Sequence, residues 1–117
     1  MPSIDPMTSL AKQLNVALRS RFGDAMTGYV VRELQEGDDP WMRAAFLIYE
    51  YWEIDFLYDR GSFGFSIPFR NAEVSVIQGP REGQTIADLD AILDELDGKV
   101  RSRIPDKYLE EWDRTHP

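Results

Sequence analysis

Apolar residues recur at helical spacing near the start of the chain. Met7, Leu10, Ala11, Leu14, Ala17, Leu18 and Phe22 fall on one stripe of a 3.6-residue period, while Gln13, Asn15, Arg19 and Arg21 mostly face away. Asp5-Pro6 reads as a start, with Asp as N-cap and Pro at the first helical position, and Gly23 as a stop. The spacing predicts an amphipathic helix over residues 6–22 that docks on a flat surface.

The period then changes from 3.6 to 2. Gly28 to Leu34 is rich in β-branched and aromatic residues and predicts a strand, and Glu36 to Pro40 has the composition of a turn. Further on, Trp52, Ile54, Phe56 and Tyr58 alternate with Glu53, Asp55, Leu57 and Asp59. After Arg60-Gly61, Phe63, Phe65, Ile67 and Phe69 alternate with Ser62, Gly64, Ser66 and Pro68. A two-residue loop at Arg60-Gly61 sets Tyr58 against Phe63, Phe56 against Phe65, Ile54 against Ile67 and Trp52 against Phe69. All four apolar pairs then share one face. A slip of one residue would set each of them against a small or polar side chain, so this register is favoured.

Residues 44–51 alternate less strictly, and Trp52 and Ile54 continue the parity of Phe46 and Ile48. One long strand over 44–58, bent by a bulge, is the preferred reading, and two strands joined near Glu50 the alternative. Residues 72–77 predict a further short strand with Val74 and Val76 facing inward. Thr85 to Asp88 resembles a capping box ahead of a second amphipathic helix carrying Leu89, Ile92, Leu93 and Leu96, which Gly98 ends or kinks. Pro105 opens a last helix with Tyr108, Leu109 and Trp112. The order helix, strands, helices predicts a single α+β domain over residues 1–117. In it an antiparallel sheet of about four strands has the N-terminal and C-terminal helices packed on one face.

Charge adds a second layer to this picture. The 117 residues carry a formal net charge of −8, and residues 33–59 alone hold eight acids against one base, Arg43. A second acidic run lies between Asp88 and Asp97. Such a balance argues against nucleic acid and anionic membrane as partners, and an acidic surface can either serve solubility or steer a basic protein. The start of the chain lacks the basic and apolar regions of a signal peptide, and no stretch approaches the roughly 20 apolar residues of a membrane span, so a cytoplasmic location is expected.

Candidate chemistry is sparse. With no cysteine and one histidine, His116, next to the last residue, thiolate chemistry and His-based triads are excluded and zinc sites disfavoured. Gly61 to Gly64 and Gly79 to Gly83 match no Walker or dinucleotide pattern and hold no lysine. No cofactor or metal is expected. Glu53, Asp55 and Asp59 share one strand face, with next-nearest neighbours roughly 6–7 Å apart. Paired carboxylates support hydrolysis or cation binding when set in a cleft, and a flat sheet face is a poor one. Trp41, expected in the loop after Asp38-Asp39-Pro40, is the best exposed aromatic anchor. The candidate protein-binding residues are therefore Asp38, Asp39, Trp41, Glu53, Asp55 and Asp59.

The segment Tyr58-Asp59-Arg60-Gly61-Ser62-Phe63-Gly64-Phe65-Ser66-Ile67 is similar to the strand-turn-strand of many small acidic bacterial proteins. In these a DRG turn follows an apolar strand and a Leu-rich helix comes later. Many resemble immunity proteins of polymorphic or contact-dependent toxin systems. The likeness covers residues 44–97 in pattern and the DRG turn in letters, and it carries over no site residue. It implies a stoichiometric inhibitor that blocks a toxin. The sequence thus points to a non-catalytic protein-binding module, an immunity-type inhibitor of a basic toxin being its sharpest form. A carboxylate- or cation-dependent enzyme or small-ligand binder is one alternative, and a homo-oligomeric subunit is another.

Overall fold

The structure is a computed structural model that describes residues 5–80 and 86–116. Helix α1 spans Pro6–Phe22 and buries Met7, Leu10, Ala11, Leu14, Leu18 and Phe22, the stripe its spacing predicts. Its cap is not the expected one. Asp5 occupies the N-cap position but makes no side-chain capping bond. Instead Glu36, from a distant turn, accepts hydrogen bonds from the N–H of Met7 and of Thr8, both at 2.9 Å, and from the Thr8 hydroxyl at 3.0 Å. The orphan donors of the first turn are thus satisfied by a long-range carboxylate.

Five strands follow, where the sequence suggested about four: β1 (Met26–Gln35), β2 (Trp41–Ile48), β3 (Trp52–Asp59), β4 (Ser62–Phe69) and β5 (Ala72–Gly79). They pair antiparallel in the order β1-β2-β3-β4-β5, a meander. Of the two readings of 44–58, the preferred single bent strand gives way to the alternative, two strands joined near Glu50. They reverse at Tyr49 and Glu50, both in the left-handed region with φ of 57° and 50°. Trp41 is not in a loop but opens β2, opposite Gln35 of β1 and Asp59 of β3.

The β3–β4 hairpin has the expected register from Asp59↔Ser62 through Tyr58↔Phe63 and Phe56↔Phe65 to Asp55↔Ser66. Arg60 and Gly61 have φ of 51° and 94°, the two positive values that a type I′ turn needs. Arg60 is held in this conformation by its neighbours. Its N–H donates to the Pro40 carbonyl at 3.3 Å, and its side chain pairs with Asp59 at 3.0 Å and Asp39 at 3.6 Å.

Two apolar residues depart from the expected parity at the far end of the β4–β5 hairpin. The alternation predicts Phe69 and Val74 to face inward, yet near the β4–β5 turn they are 52% and 46% exposed. Val76 is buried as expected, but a bulge lies between the Phe65↔Ile77 and Ser66↔Ser75 pairs, and Ile77 is buried beside it.

Helix α2 (Leu89–Arg101) buries Leu89, Ile92, Leu93, Leu96 and Val100 and runs through Gly98 without ending there. Thr85, the first residue of the expected capping box, lies outside the described residues. Helix α3 (Asp106–Thr115) buries Trp112. These helices and α1 meet the inward parity of the sheet in one core. At its centre Phe46, Phe56 and Phe65 are fully buried, with the Phe65 ring 4.9 Å from Phe56 and 6.2 Å, edge-on, from Phe46. No described helix is long and apolar enough to cross a membrane.

Candidate functional site

The helices fill one face of the sheet, so attention falls on the other. Its floor is set by β4, whose outward residues are Ser62, Gly64, Ser66 and Pro68, while β3 presents Glu53, Asp55, Leu57 and Asp59. Short side chains on a strand between longer ones leave a hollow. A groove of about 670 Å³ runs over β4, with Leu57 and Asp59 on one wall and Glu73, Ser75 and Gln78 on the other. Gly64 lets the β5 backbone approach closely, since a Cβ at this position would sit 3.2 Å from the Ile77 carbonyl oxygen. A neighbouring hollow of about 450 Å³ lies over β1–β3 and includes Glu33, Asp39, Trp41, Arg43 and Asp59. Leu57, 41% exposed, borders both.

The six residues singled out in the sequence fall into two groups and an outlier. Asp39, Trp41 and Asp59 gather around Arg60, which already pairs with both aspartates. Their charge is therefore partly spent within the chain. Glu53 and Asp55 form a second group on β3, and there the structure adds Glu73 of β5. Asp38 stays exposed in the β1–β2 turn. Glu73 was missed because the sequence shows only a short strand of unknown neighbour, and its approach to Asp55 depends on the sheet order.

The second group is electrostatically uncomfortable. Asp55 is half-buried, and its Oδ1 is shut away from solvent with no hydrogen-bond partner. Desolvation first, then the neighbouring carboxyls of Glu73 and Glu53, push its pKa up to about 6 from 3.8. Ser66 donates a 2.8 Å hydrogen bond to Glu73 Oε2. A cavity of about 60 Å³ beside Asp55 and Glu73 is also bordered by Arg32 and Arg43, yet among the described residues no ion pair reaches Glu53, Asp55 or Glu73.

Chemically, a carboxyl near pKa 6 is suited to proton transfer, and the groove supplies room for a ligand. Among the described residues that line the groove, serine hydroxyls are the nucleophiles present. His116 lies elsewhere, stacked on Trp112 with ring centroids 3.7 Å apart and Nδ1 3.0 Å from the Trp112 carbonyl oxygen. Among the described residues no group of three or more His, Cys, Asp or Glu is placed to hold a metal ion. No family model, curated protein or solved structure matches the chain.

Proposed function

We propose that this protein is a non-catalytic binding module that docks a basic protein on the outer face of its sheet, and that it acts in the cytoplasm as an immunity-type inhibitor of a toxin. One observation carries the reading: Asp55 and Glu73 line a hollow on the outer face, with Glu53 close enough to act on Asp55, and none of the three has a described ion-pair partner, at a cost to the folded chain. A cost borne at an open surface with no internal return is the mark of a surface shaped for something outside the molecule. Half-buried Trp41 and exposed Leu57 supply the apolar contact that such a surface needs. The DRG hairpin and acidic balance agree with the immunity form, since an acidic face can occupy the basic substrate groove of a nuclease toxin and be steered to it.

The test is a titration against a basic toxin domain encoded beside the gene, at about 0.05 M and about 0.5 M salt. Binding that weakens with salt, and growth rescue on co-expression, are expected. No binding, or an affinity indifferent to salt, overturns the reading. Asp55, with its pKa in the range of general acids, favours one second reading, a carboxylate-dependent enzyme. Calorimetry with calcium, magnesium and manganese separates its metal-dependent form, for which heat and a thermal shift are required.

A further inference from the structure

The groove over β4 has a shape that selects among ligands. Neighbouring strands stand about 4.8 Å apart, so its walls on β3 and β5 are roughly 10 Å from each other. An α-helix is about 10–12 Å across with its side chains and rides above such a slot, whereas an extended chain with short side chains fits within it. The outward floor from Ser62 to Ser66 is about 14 Å long, which accommodates about four extended residues. The outward side chains of the floor are short, Ser62 and Ser66 either side of Gly64, which has no side chain of its own to project into the groove.

Charge narrows the choice further. Asp59 lines the groove at one end and Glu73 at the other, with Asp55 next to Glu73. Among the described residues that line it the one cation, Arg60, is engaged by Asp59 and Asp39, and Arg32 and Arg43, which border the cavity beside Asp55 and Glu73, form no ion pair with either. We propose that this groove receives an extended, basic segment of the docked protein, its backbone over Gly64, its apolar contact on Leu57 and a Lys or Arg side chain towards Glu73. The proposal rests on the binding function above and adds the chemistry and conformation of the part that is recognised.

The test is an NMR titration of the isotopically labelled full chain with a short unstructured peptide of alternating arginine and serine, and with a glutamate-serine counterpart. Saturable shifts at the amides of Leu57, Gly64, Ser66 and Ser75 are expected with the arginine peptide alone. Ser66→Arg, which places a cation beside Glu73, and Ser62→Trp, which fills the slot from an exposed position, are each expected to weaken the peptide by about tenfold or more. Unchanged core resonances of Phe46 and Phe56 show that each variant folds. No shift, shifts confined to the hollow at Trp41, or shifts shared with the acids of α2 overturn the proposal. A salt-sensitive partner that binds Ser66→Arg and Ser62→Trp as well as it binds the parent overturns the groove and leaves the docking function standing. A saturable groove in a chain that binds no basic protein does the reverse.

Discussion

The hydroxyl of Tyr108 donates a 2.6 Å hydrogen bond to the main-chain carbonyl of Tyr49, so the last helix holds the β2–β3 turn by its backbone. The same turn residue is gripped from three other sides. Its N–H donates to the Ala25 carbonyl at 2.8 Å, its hydroxyl donates to Asp97, and its ring meets Trp112 edge-on at 5.7 Å. Removing the Tyr108 hydroxyl leaves a partly buried carbonyl without that donor. Tyr108→Phe is expected to cost about 1 kcal/mol in urea denaturation, with faster amide hydrogen exchange in α3 than in α1.

Glu50 pays for the tightness of that turn in backbone strain. A left-handed conformation costs a side-chain-bearing residue about 1–2 kcal/mol, and Glu50 is exposed, with φ of 50°. Glu50→Gly relieves the strain but also loosens the unfolded chain, which returns part of the gain. A net stabilisation of about 0.5 kcal/mol is expected from the denaturation midpoint.

Legibility follows from this contrast between turns. The β3–β4 hairpin was readable because strict alternation and an Arg-Gly loop sit within one short window. The β2–β3 turn was legible only as the second choice, because Tyr49-Glu50-Tyr51 contains no Gly, Asn, Asp or Pro and is held by Ala25, Asp97 and Tyr108, all distant in sequence. The same reason hid the cap of α1, which Glu36 supplies from 28 residues away. At the site, Glu53 and Asp55 were legible as one strand face, but their neighbour Glu73 depended on strand order and a bulge. Local pattern reveals which residues share a face, and long-range pairing decides which faces meet.

Glu36 gives stability a dependence on acid. Partial desolvation works to raise its pKa, but the hydrogen bonds from the N–H groups of Thr8 and Met7 and the Thr8 hydroxyl outweigh it and hold the value below the ordinary 4.5. A carboxyl depressed in the folded state contributes stability above its unfolded pKa and loses it as pH falls through the folded one. Glu36→Ala is therefore expected to melt at a lower temperature than the parent at pH 7, and the gap is expected to close as both are acidified below pH about 4.

Asp55 has the opposite sign. Its folded pKa of about 6 lies above the ordinary 3.8, so the folded chain keeps a proton that the unfolded chain releases. Stability falls as pH rises between about 4 and about 6. A full two-unit shift would amount to about 3 kcal/mol, but water reaches this face and screens the interaction. Asp55→Asn is expected to stabilise the protein by about 1 kcal/mol at pH 7 and by nothing below pH about 4, measured by urea denaturation at both.

The aromatic centre sets the scale for these effects. Phe65 is fully buried and touches rings from two other strands. Phe65→Ala is expected to cost about 3–5 kcal/mol, a large share of the 5–15 kcal/mol that a domain of this kind possesses. Loss of cooperative melting near room temperature would be the readout.

A meander also governs how quickly such a chain becomes usable. Every strand of the sheet bonds only to strands adjacent in sequence. Each hairpin closes over a short loop, an event of about 1–10 μs, and no distant partner must be found before the next can form. The ribbon can therefore zip up in the order in which a ribosome delivers it, leaving α3 to latch on last through Tyr108. Under the inhibitor function proposed above, speed of maturation would itself be a form of protection.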